Sequence, residues 1–377
     1  MVKILITNAT ILTLSTKHEL VINNGYLFID GGVIKAVGSG EVPEELQYPE
    51  LLISGKGRLV VPGLSSGYTR VSTYPLRYVL KSLTEDRVRE YLSTLSRTDV
   101  YYSAILSFTD LLLKGVTTLM ISDIYLDDIA RAAHEVGLFT ILASPIDINV
   151  GGYDPYHELK LIMQRWHGRV EEVKGAILTQ EGLNDEVVNL YESYKCRVFI
   201  KDLKNLEGLN KVVDKIGLDN IIAVDPTEVI NDLKIIRTYT TLNSWKPFQG
   251  LGIGDEPSYN LTDVLKTLLR SRHNGLDILF SATNSTTSII GLDDMNCIEV
   301  GKRANIVIYN FTGPPGWPLL NSVDAIVNAV IYGNPVIESV IVGDNILLDG
   351  NEVLNVGVDL IKKATNRLEG ILRDYIR

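Results

Sequence analysis

Four aspartates, Asp123, Asp202, Asp225 and Asp255, each follow a short apolar run that reads as a strand. Oxygen donors gathered at strand ends suit a hard cation such as magnesium. An aspartate so placed can equally cap a following helix by accepting from free backbone N–H groups, and Asp123, just ahead of residues 124–129, fits that role. Lys201, beside Asp202, offers a different chemistry: TIM barrels carry strand-end lysines whose pKa falls on burial and which then form Schiff bases. Arg70 would lower the pKa of Lys201 and Asp202 would raise it, so the neighbours do not decide the matter. The five histidines, His18, His134, His157, His167 and His273, lie in the N-terminal part or in helical stretches and their ends, where packing or solvent-facing roles are expected. Cys196 and Cys297 form no CxxC pair, so neither a disulfide framework nor a thiolate metal site is expected, and a reducing cytoplasm fits. The glycines Gly31-Gly32, Gly38-x-Gly40 and Gly252-x-Gly254 are not phosphate-loop fingerprints, and no nucleotide cofactor is expected.

The elements that position these residues fall into two patterns. Residues 3–7, 26–29 and 33–37 are short β-rich pieces separated by Asn23-Asn24-Gly25 and Asp30-Gly31-Gly32, turn residues that tolerate positive φ. From about residue 59 apolar runs alternate with amphipathic stretches, the signature of βα units around a parallel sheet. Strands are expected at 59–61, 117–121, 139–143, 173–178, 197–200, 220–224, 238–242 and 250–254, with helices at 127–136, 185–194, 209–216, 228–236 and 262–271. Eight such units make a closed α/β barrel. β-character returns at 304–310, 325–332 and 336–348, before a closing helix over 359–377. The expected organisation is a (β/α)8 barrel over 59–300 and one small composite β-sandwich domain from 1–58 and 301–377.

The chain has 377 residues, 45% of them hydrophobic, enough for a large core and a satellite domain. Its formal net charge of −10 gives no electrostatic reason to bind nucleic acid or an anionic membrane, which leaves small molecules and protein partners. No apolar run approaches the roughly eighteen residues of a membrane span, and the first residues lack a signal-peptide pattern. A soluble, cytoplasmic protein is expected.

Three stretches together resemble the amidohydrolase superfamily, especially its cytosine deaminase and chlorohydrolase-like branch. They are Gly57-Arg58-Leu59-Val60-Val61-Pro62-Gly63-Leu64 at the barrel opening, Gly115-Val116-Thr117-Thr118 at the second strand, and Ala282-Thr283, Gly291-Leu292 and 298–307 at the return to the small domain. In the last, Asn305 stands where the family pattern has Asp. The resemblance implies a TIM barrel whose mouth holds zinc or iron on histidines of strands one, five and six and an aspartate of strand eight. That metal supplies hydroxide to attack an amide, amidine or ring C–N carbon. It also implies a homo-oligomer, since such relatives self-associate through barrel helices and the small domain.

At the implied ligand positions this sequence departs from the pattern. Tyr68-Thr69-Arg70 occupies the place of His-x-His, Lys201 the strand-five position, and Val224 or Asp225 the strand-six position; only Asp255 matches. Arginine stays protonated and has no lone pair for a cation. Arg70 and Lys201 facing Asp255 could form a salt-bridged plug in a retired site, or hold a small anionic ligand with Tyr68, Asp123, Asp202, Asp225 and Asn243 near the rim. The leading expectation is therefore an amidohydrolase-like pseudoenzyme or anion-binding protein, a hydrolase of non-peptide C–N bonds by ancestry, with no zinc or iron cofactor. The alternative is an active hydrolase or deaminase using a rearranged site, either with rearranged ligands or with Tyr68 as acid, Lys201 as electrostatic stabiliser and Asp255 as base.

Overall fold

The computed structural model describes residues 2–202, 209–227, 232–254 and 256–376. Contacts divide the chain into two compact units, Met1–Ser65 with Leu112–Thr117 and Leu265–Asn355, and Ser66–Leu111 with Thr118–Val264 and Val356–Arg377. Its first strands are β1 (Lys3–Leu12), β2 (Val21–Asp30), β3 (Val33–Ser39), β4 (Leu51–Ser54) and β5 (Arg58–Pro62). Then come β6 (Leu64–Thr69), β7 (Val116–Ile121), β8 (Phe139–Pro145), β9 (Val173–Thr179), β10 (Val198–Lys201), β11 (Ile221–Val224), β12 (Lys234–Thr238) and β13 (Gly250–Gly252). The last are β14 (Asn305–Asn310), β15 (Val336–Val342), β16 (Asn345–Asp349) and β17 (Glu352–Val353).

In the first unit the chain ends share one sheet, ordered β17-β16-β15-β14-β5-β1-β2-β3, with β4 paired to β1. The ends meet where β14 runs antiparallel to β5, with Ile308 opposite Val60, while β5 lies parallel to β1. Ile4, Ile6, Leu27, Ile29, Val60 and Ile306 are fully buried beneath it. Burial of so many branched apolar side chains is the main force joining two segments so distant in sequence.

The other sheet runs β6 through β13 in sequential order, parallel at every pair from β7 to β13 whose register is known, and forms a nearly closed eight-stranded barrel. β7 and β8 are buried along their whole length, as strands covered on both faces must be. At the closure Gly254 N donates to Tyr68 O at 3.1 Å, and Ile253 N donates to Ser66 Oγ at 3.0 Å. A Cβ on Gly252 would stand 2.8 Å from Tyr68 N, so glycine is what lets the strands meet. Among the helices are α1 (Glu85–Thr94), α2 (Arg97–Leu113), α3 (Leu126–Val136), α4 (Pro155–Arg165) and α5 (Asp185–Tyr194). No helix among the described residues is long and apolar enough to cross a membrane.

Four expectations are corrected. Residues 59–61 belong to β5 of the composite sheet, and β6 opens the barrel instead. The chain leaves one sheet for the other at Gly63, where a side chain would strike Thr117 Oγ1 at 2.2 Å and Asn305 Oδ1 at 2.5 Å. The strand expected at 238–242 lies at Lys234–Thr238, and the chain then turns through a short helical segment, Tyr239–Ser244. The helix expected at 228–236 therefore ends in strand at its described end, and residues 228–231 lie outside the described residues. Finally, 325–332 is helical within Val323–Tyr332. Ser322 Oγ caps its start by accepting from Ala325 N, and Ile326, Val327, Val330 and Ile331 share its buried face.

Candidate functional site

β6 ends at Thr69 and β10 at Lys201, both at the C-terminal mouth of the barrel, where the folds of this architecture place their chemistry. The structure brings Tyr68, Arg70, Lys201, Asp202 and Asp225 into one cluster. Arg70 Nε donates to the Tyr68 hydroxyl at 3.2 Å, and Lys201 Nζ stands 5.2 Å from the centre of the Tyr68 ring. Lys201 Nζ pairs with Asp202 at 3.2 Å and lies 3.8 Å from Asp225. Asp225, not Val224, thus faces Lys201 from the end of β11.

Asp225 is 4% exposed, and its carboxylate is engaged on both oxygens. It accepts from Thr238 N and Thr238 Oγ1, each at 2.8 Å, and from the Thr241 hydroxyl. These bonds turn the chain out of β12 and explain why the strand ends at Thr238. Asp123, the expected helix cap, does not cap α3, whose N-cap is Tyr125 with no side-chain bond. Instead its carboxylate accepts from Val71 N, Ser72 N and Ile124 N, each at 2.8 Å, and from Ser72 Oγ at 2.5 Å. Tyr259 OH donates to Arg70 O at 2.8 Å and Ser103 Oγ to Val71 O at 2.5 Å. Side chains therefore satisfy the backbone that leaves β6 and carries Arg70, a pre-organised arrangement.

Burial acts most strongly on Lys201 and opposes its charge, yet Tyr68, Asp202 and Asp225 together outweigh burial and Arg70, leaving its pKa above the ordinary 10.5. The ammonium persists at neutral pH, which argues against a Schiff-base nucleophile. A group whose folded pKa lies above the unfolded one stabilises the fold fully below the unfolded value and loses that contribution as pH rises through the folded value. The melting-temperature advantage of wild type over Lys201→Met should therefore stay level through neutral pH and shrink only above pH 10.5. A gap that already closes near pH 8 would contradict this charge state, as would borohydride trapping of a carbonyl compound on Lys201.

Arg70, Lys201 and Asp202 line a cavity of about 310 Å³. Ile148, Val150 and Gln180, from the segments after β8 and β9, also line it. A wall of it comes from residues 80–92, through Leu80, Leu83, Val88 and Leu92 and through Glu85 and Arg89. Lys81 Nζ stands 3.9 Å over the Tyr239 ring and pins this wall to the turn after β12. Thr84 Oγ1 caps α1 by accepting from Arg87 N. The wall was missed in the sequence reading. Its one local signal is Thr84 followed by acidic Glu85 and Asp86, a helix-start pattern that says nothing of a cavity.

Asn243 is exposed in the turn after β12 with no side-chain hydrogen bond to the described residues of the cluster, and Asp255 lies outside the described residues. The magnesium reading fails for the described carboxylates: Asp123 and Asp225 are saturated by donors, and no three His, Cys, Asp or Glu side chains among the described residues are grouped to hold a metal. Where the resemblance implies histidine ligands for zinc or iron, the Arg70 guanidinium and the Lys201 ammonium offer a cation no lone pair. Both cysteines are free and buried. Burial pushes Cys196 up to about 12 and Cys297 up to about 11, so neither is a ready nucleophile.

No family model matches the chain. It is 21% identical to a 5-methylthioadenosine/S-adenosylhomocysteine deaminase of Thermoanaerobacter pseudethanolicus, over 97% of this chain and 99% of the relative. It is 22% identical to the enzyme of that name from Dictyoglomus turgidum, over 88% and 91%. Among solved structures, a zinc-bound adenosine deaminase from Xanthomonas campestris superposes with a TM-score of 0.81 at 16% identity, over 98% of each chain. A zinc complex of an atrazine chlorohydrolase from Arthrobacter aurescens does so with a TM-score of 0.78 at 16% identity, over 96% and 99%. The two sequence relatives are named as deaminases and lend no support to a catalytically silent chain, while the solved structures show the fold.

Proposed function

We propose that this member of the amidohydrolase superfamily hydrolyses a non-peptide carbon–nitrogen bond at its barrel mouth, through a site rearranged away from histidine. The observation that carries the reading is the meeting of Tyr68, Arg70 and Lys201 at strand ends, with Arg70 and Lys201 lining a cavity large enough for a small substrate. The substrate class follows the relatives' names: an aminated ring. Water adds to the ring carbon that bears the amino group, and its proton passes to the Asp255 carboxylate. Lys201 and Arg70 offset the negative charge that develops on the ring. The Tyr68 hydroxyl, whose oxygen accepts from Arg70, gives its proton to the departing nitrogen, which leaves as ammonia, and the proton taken up by Asp255 restores it.

The test is ammonia release from a panel of aminated purine nucleosides and aminated pyrimidines, before and after dialysis against a chelator. Turnover should survive chelation, and Tyr68→Phe and Asp255→Ala should each lower kcat about 10²-fold or more. Activity that vanishes on chelation and returns with zinc would replace this site by a metal one. Silence across the panel would leave the second reading, ligand binding without turnover, which the donor-saturated Asp225 favours.

A further inference from the structure

The helix that carries Val88 and Leu92 to the cavity is thinly rooted. Within α1 only Tyr91 and Leu92 are buried, while Glu85, Asp86, Arg87, Arg89 and Glu90 are exposed. A helix this short is marginal by itself, so its place is set by what grips it. One grip comes from the closing helix, Val358–Ile376. Ala364 and Leu368 of that helix are buried, and Arg367 Nε pairs with Asp99 Oδ1 of α2 at 2.6 Å. Tyr375 follows about 12 Å further along the axis and meets α1 directly. Its hydroxyl donates to Arg87 O, and its carbonyl accepts from Arg87 Nη2 at 3.4 Å. The Arg87 guanidinium stands 4.7 Å from the centre of its ring, and the Tyr91 ring lies 5.2 Å away. Arg87 and Tyr91 are an i, i+4 pair on one stripe of α1, so a single aromatic ring can hold both. Val88 and Leu92 form the next stripe, about 100° around the helix, and line the cavity.

We infer that Tyr375 is a positioning residue for the cavity: by holding Arg87 and Tyr91 it fixes the rotation of α1 and so the place of Val88 and Leu92 on the wall. Tyr375 acts through α1 and need not touch the substrate. The inference rests on the hydrolytic reading for what enters the cavity and adds a residue that governs how well it is held. The groups assigned to the chemistry, Tyr68 and Lys201, belong to β6 and β10, so the clamp should act on affinity more than on turnover.

Tyr375→Ala and Tyr375→Phe in the full chain test this by two readouts. Amide hydrogen exchange, followed without substrate, should quicken at least about tenfold in α1 of the alanine variant. It should stay unchanged in α5, which shares no hydrogen bond or ring contact with Tyr375 among the described residues. Phenylalanine keeps both ring contacts and should hold α1 exchange within about threefold of wild type. On the aminated ring turned over fastest, Tyr375→Ala should raise KM at least about fivefold with kcat within about twofold, and Tyr375→Phe should restore KM. A merely structural role would lower kcat through the folded fraction and leave KM alone. Unchanged exchange in α1, equal quickening in α5, or a loosened α1 with wild-type KM would overturn the proposal. The exchange readout needs no turnover. Silence across the panel with α1 selectively loosened would sink the hydrolytic reading alone, and turnover with α1 unmoved would sink only this one.

Discussion

Asp123→Ala should cost about 3–9 kcal/mol of stability, since three buried N–H groups, of Val71, Ser72 and Ile124, lose their acceptor at roughly 1–3 kcal/mol each. Val71 and Ser72 are fully buried, so water has no ready route to replace the carboxylate. The loss should appear in the urea midpoint, with the slope little changed. Asp123→Asn should cost much less. One amide oxygen can still accept from both Val71 N and Ser72 N, which share Oδ2 in the native chain, while the Ser72 hydroxyl can reverse its role. Only Ile124 N then faces a donor. An alanine variant within about 1 kcal/mol of wild type would mean that the carboxylate does not hold this backbone. Because Arg70 leaves β6 on the same segment, the alanine variant should also lose ligand affinity even where it remains folded.

The second large effect is expected at the barrel closure. A Cβ at position 252 would lie 2.8 Å from Tyr68 N and 3.0 Å from Tyr68 O, both backbone atoms of the neighbouring strand. Neither can step aside without parting β13 from β6, so Gly252→Ala should destabilise by about 3 kcal/mol, the upper end of ordinary overpacking. Gly67→Ala makes a useful control. Its nearest neighbours, Ile236 Cδ1 at 2.9 Å and Cγ2 at 3.0 Å, belong to a side chain that can rotate. The cost there should be smaller, and ligand binding should survive. Gly252→Ala should weaken binding as well, because Tyr68 and Arg70 ride on the displaced strand. Equal melting temperatures for the two variants would refute the backbone argument.

The helices at 185–194 and 209–216 and most barrel strands were legible because each writes its own period into consecutive residues. The stretch 325–332, rich in valine, isoleucine and alanine, was not. β-branched residues favour strands on average, and a cap together with one buried face overrode that preference. The site was half legible. Tyr68, Arg70, Lys201 and Asp225 were named from the sequence, but Tyr259, Ser103 and Thr241, which anchor the backbone of Arg70, that of Val71 and Asp225 in turn, carry no local signal.

What the sequence determined by itself was the alternation of βα units and a sheet assembled from both chain ends, since patterning and turn chemistry are local properties. Only the tertiary structure decided that β6 rather than β5 opens the barrel, because Leu59 and Val60 read equally well in either sheet and pairing with β1 and β14 settles it. It also decided the state of Lys201. That charge is a sum over Tyr68, Arg70, Asp202, Asp225 and the surrounding burial, and such a sum depends on distances between residues that the chain order leaves far apart.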